Sequence, residues 1–216
     1  HVLNTESDTR AIHFDRHERI WFSSRDRTIH LYDNRLNAVG YLRADGRIQS
    51  SPCRFGSPIY CFHEDEDGVI WMGARFEGLY RLTPIDEKSY RVDHFRHDPQ
   101  DAYSLGSDNI YDLHRDRYGR LWVATYGGGL NLVDEGGTTP RFLHAGNEIP
   151  FPVEEYGQLR VIEETPTFLL VGTTNGLVLF QHAPKTFSSS SFSCYSVQEN
   201  ADGLLSNDVR DIHYTS

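Results

Sequence analysis

Apolar residues in this chain come in short stretches of roughly four to six residues, separated by turn signals. They are grouped in sets of four. In one set the stretches are Ile59–His63, Ile70–Ala74, Leu79–Leu82 and Tyr90–Phe95. In the next they are Ile110–His114, Leu121–Thr125, Leu130–Val133 and Arg141–His144. No segment of ten or more residues shows the 3.6-residue apolar spacing of an amphipathic helix, so the stretches are predicted to be strands.

The sets repeat. Trp21, Trp71 and Trp122 stand about fifty residues apart, and Leu170 takes the same place in a fourth copy. Counting back from these positions gives an acid column of Asp15, Asp65, Asp116 and Glu164, then a turn column of Glu18, Gly68, Gly119 and Thr167. Gly78, Gly129 and Gly176 each precede an apolar residue, namely Leu79, Leu130 and Leu177. Upstream lie two apolar columns, Thr9/Ile59/Ile110/Gln158/Val209 and Ile12/Phe62/Leu113/Val161/Ile212. The last member of each assigns 206–212 to the start of a fifth copy.

Four short strands per period is the signature of a β-propeller blade, whose sheets bury their faces by stacking on their neighbours. The expected fold is therefore all-β, a β-propeller of four-stranded antiparallel blades. The blades are expected near residues 7–52, 57–100, 107–150 and 156–200, with 204–216 as the first strand of a further blade. Four periods occupy about 200 residues and a seven-bladed wheel needs about 350, so an arc of a larger propeller is expected. Asp-x-x-Gly, complete in the second and third copies, makes a tight hairpin, the carboxylate capping turn amides and Gly supplying a positive φ. The tryptophan then wedges between neighbouring blades. The fourth copy lacks the tryptophan and the turn glycine and has Pro166 in its first turn, so its blade is expected to pack less regularly.

Several segments resemble the two-component regulator propeller repeat. They are His97-Asp98-Pro99, Ser104-Leu105-Gly106-Ser107-Asp108-Asn109-Ile110, and the run from Arg115-Asp116 through Gly119-Arg120-Leu121-Trp122 to Gly127-Gly128-Gly129-Leu130. Glu64–Ala74 carries the same motif, and Gly203–Val209 resembles the start of another blade. The resemblance implies the extracytoplasmic, periplasmic sensor region of a bacterial hybrid two-component regulator, an ectodomain of an inner-membrane protein. Such regions bind oligosaccharides or relay their binding to a kinase outside this segment. Non-catalytic sensing, with no cofactor and as a homodimer, is the reading this supports. A propeller lyase or glycosidase, and a protein-binding scaffold, are the alternatives.

Composition narrows the partners. The formal net charge of −10 repels phosphates, so nucleic acid and anionic membrane are not expected partners of this segment. Nothing in it is long and apolar enough to span a bilayer as a helix, and any membrane attachment would come from flanking parts. Cys53, Cys61 and Cys194 form no CxxC. Cys53 and Cys61 are left either paired or free, with small half-buried thiols the simpler reading of all three.

Three groups of residues carry candidate chemistry. A histidine column, His13, His63, His114 and His213, with Ile162 in the remaining copy, falls on the first strand, which lines the channel of a propeller. It reads either as an imidazole ring for a metal or anionic group or as packing. The acid column reads as turn caps rather than as a catalytic pair, and no metal is expected. The loops between second and third strands vary from copy to copy, as specificity loops do. They supply the candidate ligand-binding residues Arg25, Arg75, Phe76, Tyr126 and Asn175, with aromatics to stack on sugar rings and polar groups for hydroxyls or carboxylates. Gly127–Gly129 lacks a following Lys-Ser/Thr and is not a phosphate loop. Ser188–Ser191 with Ser193 reads as a solvated loop.

Overall fold

The computed structural model describes residues 8–181, 192–196, 204 and 206–215. The chain divides into two compact units, 1–95 and 96–216. The first holds β1 (Thr9–Phe14), β2 (Ile20–Ser24), β3 (Ile29–Tyr32), β4 (Ala38–Leu42) and β5 (Ile48–Gln49) in one antiparallel sheet. Its second sheet is β6 (Ile59–Glu64), β7 (Ile70–Ala74), β8 (Leu79–Asp86) and β9 (Ser89–Phe95). The second unit holds β10 (Ile110–Arg115), β11 (Leu121–Thr125), β12 (Gly129–Asp134) and β13 (Arg141–Leu143) in one sheet. A short helical turn α1 (Val153–Tyr156) leads to β14 (Leu159–Glu164), β15 (Phe168–Thr173), β16 (Gly176–Gln181) and β17 (Phe192–Tyr195). Every sheet is a meander in sequence order, and the strands expected in the second and third copies coincide with β6–β13 to within a few residues.

One carboxylate organises the first hairpin in three of the four sheets. Asp116 Oδ2 accepts the Trp122 indole N–H (2.8 Å) and Arg120 Nε–H (2.7 Å), while its Oδ1 accepts the amides of Tyr118 and Arg120 (both 3.0 Å). Asp15 repeats this with Trp21 (2.7 Å), Arg19 (2.6 Å) and the amides of His17 and Arg19. Asp65 accepts from Trp71 (3.0 Å), but Val69 stands where the other two copies have arginine. Gly68 and Gly119 take the positive φ this turn needs (80° and 75°), and Glu18 is forced into the same region at 60°. Burial works to raise the pKa of Asp15 and Asp116. Hydrogen bonds from the tryptophan, the turn amide and the arginine outweigh it and hold both carboxyls below the usual range.

The anchored tryptophans are fully buried, and Trp21 and Trp122 cross to the next sheet of their own unit. Trp21 meets Tyr90 of β9 edge-on at 5.6 Å, and Arg19 continues across to the Tyr90 hydroxyl (2.6 Å) and the Glu87 carbonyl (2.8 Å). Trp122 meets Phe180 of β16 edge-on, also at 5.6 Å. Each unit's core therefore lies between its own two sheets. In the first, Trp21, Ile29, Leu31 and Leu42 face Ile59, Met72 and Leu82. In the second, Trp122, Leu130 and Leu132 face Leu159, Val171 and Phe180.

The structure corrects several expectations. The first sheet has a fifth strand, because Gly46 (φ 85°) turns the chain back and β5 is tied to the next sheet by Ile48 N–H to Lys88 O and Tyr90 N–H to Gly46 O. In the fourth sheet Glu164 is not the turn acid. That hairpin is one residue shorter, and Thr165 does the capping, its Oγ1 accepting the amides of Thr167 and Phe168. Counting back from Leu170 across the shorter turn therefore misplaces the upstream columns by one. Strand pairing puts Leu159 with Ile110, Ile162 with Leu113, and Glu163, not Ile162, with His114. The inner three strands of that sheet are as regular as in the others, so Pro166 and the missing tryptophan do not disorder it. Ser193 lies in β17, while Ser188–Ser191 fall outside the described residues. Residues 206–215 form no strand; Val209 N–H donates to Thr173 O beside β15.

Removing the hub should therefore be costly where arginine shares it. Asp116→Ala strands an indole N–H, a guanidinium and two amides, and we expect a loss of about 3–5 kcal/mol in urea denaturation. Asp65→Ala, in the copy where Val69 takes the place of Arg19 and Arg120, should cost clearly less. Because the folded pKa of Asp15 and Asp116 is depressed, their stabilisation is present above the unfolded carboxyl pKa and is lost as pH falls through the folded value. Equal losses for the two alanine variants would show that the arginine adds nothing.

Candidate functional site

Every first strand carries a β-bulge at its second residue, which is left out of the ladder. These residues are Arg10, Tyr60, Tyr111 and Arg160. A bulge re-aims its side chain, and here it directs it to the end of the sheet where second strands finish and the loops to third strands begin. The sequence reading passed over this column. Its signal was its place directly after the upstream apolar column.

In the first unit the bulge residues meet the loops. The Arg10 guanidinium lies over the Tyr60 ring at 5.9 Å, and Arg75 lies over the same ring at 5.8 Å and over Phe76 at 4.7 Å. Arg10, Arg75 and Phe76 are exposed, Phe76 at 56%. Arg25 stands at this end too, its amide bonded to Asp8 O (2.8 Å) and its side chain 3.7 Å from the Asp8 carboxylate in a wholly open pair. Three of the predicted residues, Arg25, Arg75 and Phe76, thus share one end of one unit.

The second unit places Tyr126 and Asn175 at its corresponding end. Tyr126 is half-buried and stacks on Tyr111 at 5.3 Å, with Arg160 at 5.2 Å from both rings. Arg160 is ion-paired with Asp208 at 3.3 Å, which also holds Arg210 at 2.8 Å. Asn175 is half-buried, donating its amide to Thr173 Oγ1 and its side chain to Glu155 O. The glycine loop is scaffold: Gly127 and Gly129 both donate to Gly157 O, and a Cβ on Gly128 would fall 2.3 Å from Gly106 C.

The opposite end of the first unit carries a cleft of about 400 Å³, lined by Arg16, Arg19, Glu64, Ile70, Ile85 and Tyr90 among others. Its groups are largely engaged with one another. Glu64 accepts the Arg16 amide (2.8 Å) and lies 3.4 Å from His13 Nε2, and Arg16 Nη1 reaches Glu66 O (2.7 Å). Glu164 repeats this in the second unit with the Arg117 amide (3.1 Å), Arg117 Nε (2.7 Å) and His114 Nε2 (3.5 Å).

This explains most of the histidine column. His13 and His114 clasp a glutamate of the next sheet, His63 lies 3.3 Å from its own Asp65, and His213 is exposed. The three enclosed Nε2 atoms sit at ion-pair distance without hydrogen-bond geometry, so packing rather than directional bonding holds them. Burial pulls the His13 pKa down while Glu64 pulls it up, with a net lowering. His13 also stacks on Phe62 at 5.8 Å. Among the described residues no cluster of His, Cys, Asp and Glu could hold a metal ion, and none of the three cysteines is in a disulfide. No helix among them is long and apolar enough to cross a membrane.

Residues 54–76 and 104–127 match the family described as two component regulator propeller. Two segments of the chain are thus similar to the two-component regulator propeller repeat. Among solved structures it is similar to the extracellular domains of two hybrid two component systems of B. thetaiotaomicron. One matches at TM-score 0.63 and 18% identity over 91% of this chain and 24% of that one. The other matches at TM-score 0.60 and 17% identity over 87% and 24%. A streptogramin B lyase is similar at TM-score 0.55 and 14% identity, over 94% of this chain and 59% of that chain. At these identities the likeness shows the fold, propeller blades, and this chain spans about a quarter of the first two structures. No curated protein sequence matches it.

The propeller repeats also hold one carboxylate against its inclination. Asp112, next to the bulge in β10, accepts the amides of Leu113 (2.9 Å) and, across the seam, of Ile162 in β14 (2.7 Å). Burial raises its pKa to about 6, the two amides oppose this, and Glu163 and Asp211 add to it. A folded pKa above the unfolded one means stability present below the unfolded pKa and lost as pH rises through about 6. We expect the second unit to lose about 1–2 kcal/mol between pH 5 and pH 7.5 through this group. Urea titrations at both pH values check it, since Asp112→Asn should remove that part of the pH dependence; an unchanged dependence in the variant would refute the assignment.

Proposed function

We propose that this chain is part of the extracytoplasmic sensor region of a bacterial hybrid two-component regulator. In this reading it sits in the periplasm, works as a homodimer, and receives an oligosaccharide-type ligand or passes its binding on to a kinase elsewhere in the protein. The observation that carries the reading is the double match to the two component regulator propeller family, at 54–76 and 104–127. Each matched segment contains the Asp–Trp pair that fixes a blade and ends on the loop that follows the second strand. The likeness to extracellular domains of hybrid two component systems agrees with it.

Binding rather than turnover is favoured by how the acids are used. Asp15, Asp65 and Asp116 are tied to tryptophans and turn amides in separate hairpins, so they do not converge as a general acid and base would. At the other end of the sheets the exposed Phe76 offers a stacking face.

Calorimetric titration of the chain with a panel of oligosaccharides, beside incubation with the parent polysaccharides and assay for new chain ends, tests this. Saturable binding without turnover is expected, and Phe76→Ala should weaken it about tenfold, equivalent to about 1.4 kcal/mol. Shortened polysaccharide would overturn the sensor reading in favour of an enzyme.

A further inference from the structure

The loop end of the first unit has a charge opposite to that of the chain. Arg10, Arg25, Arg27, Arg54 and Arg75 are all exposed and gather there, since Phe55 N–H donates to Arg27 O and both Arg10 and Arg75 lie on Tyr60. Facing them are Asp8, Asp26 and Glu77. Asp8 is paired with Arg25, Asp26 caps the Thr28 amide and hydroxyl, and Glu77 accepts the Tyr80 hydroxyl. Among the described residues Arg10, Arg27, Arg54 and Arg75 have no carboxylate at ion-pair distance. In a chain of net charge −10, arginines without a carboxylate partner, two of them held on aromatic rings, are an exception that wants a counter-ion.

The second unit provides the internal comparison. It has the same two columns, the bulge residue and the first residue after the second strand, but there the single arginine, Arg160, is half-buried and ion-paired with Asp208. The geometry is shared and the free charge is not.

We propose that the patch formed by Arg10, Tyr60, Arg75 and Phe76 binds an acidic saccharide, one whose ring carries a carboxylate or a sulfate ester. The inference rests on the saccharide reading above and narrows it. Phe76, 56% exposed, supplies a face for a sugar ring. The guanidiniums of Arg10 and Arg75 are planar donor forks, already oriented by stacking, which match a carboxylate or sulfate edge and lose little freedom on binding. The general field of the protein repels such a ligand, so this end is the favoured point of approach.

Calorimetric titration of the whole chain with tetragalacturonate, a heparin-derived tetrasaccharide and neutral cellotetraose tests it. At least one acidic probe should bind at least tenfold tighter than cellotetraose, and the preferred one tells carboxylate from sulfate. Arg10→Gln and Arg75→Gln should each weaken it about tenfold, and raising salt from ~50 to ~500 mM should weaken it further. Both arginines are exposed, so thermal unfolding of the variants should match the parent and show that lost affinity is not lost folding. Cellotetraose bound as tightly as the acidic probes, or acidic binding indifferent to both substitutions, overturns the acidic inference and leaves the saccharide reading standing. No binding of any probe overturns both.

Discussion

A carboxylate that accepts an indole N–H, a guanidinium and two backbone amides at once is the interaction on which the rest depends. Asp15 and Asp116 are buried, and a buried charge is tolerable only when every lone pair is occupied. The same bonds that satisfy the carboxylate close the hairpin, orient the tryptophan and aim the arginine. The tryptophan then reaches the neighbouring sheet, so a local turn and a long-range packing contact share one cause. Short strands cannot bury a face alone, and this coupling joins two of them into a core.

Where the hub varies, the surroundings respond in kind. In the second sheet Val69 removes the arginine, and His63 comes to within 3.3 Å of Asp65 instead. In the fourth, Thr165 replaces the carboxylate, the turn shortens by a residue, and no indole remains to be held. A neutral hydroxyl suffices there because it has only amides to satisfy. The partner set, more than the turn itself, decides whether a charge is required.

The same logic separates what could be read from the chain from what could not. Turn, wedge and reversal were legible because each demands a residue type: positive φ at Gly119, an aromatic body at Trp122, a Cβ-free reversal at Gly129. A one-residue deletion was not, since it leaves composition intact and shifts every column counted across it. Glu164 and Ile162 were misassigned for that reason. The bulge was also hidden. It is a backbone event with no fixed residue type, and it admits Arg10, Tyr60, Tyr111 or Arg160 equally. The loop residues Arg75 and Phe76 were visible as variable positions, but their bulged neighbours, which turn them into a cluster, were not.

That freedom is what makes the bulge end the place where function can diverge. At the hub end the hairpin carboxylates and their partners are owed to the scaffold, and the cleft there is lined largely by side chains already engaged, such as Arg19 on Asp15 and Tyr90. Changing them changes stability first. At the bulge end the side chain is aimed outward by the backbone whatever its identity, so Arg–Tyr–Arg in one unit and Tyr–Arg–Tyr in the other are built on the same geometry. One arrangement consumes its charge internally through Asp208, and the other leaves it for solvent or ligand. A repeat that fixes one end of its sheets by an obligatory network and leaves the other to an indifferent bulge can alter what it recognises without altering how it folds.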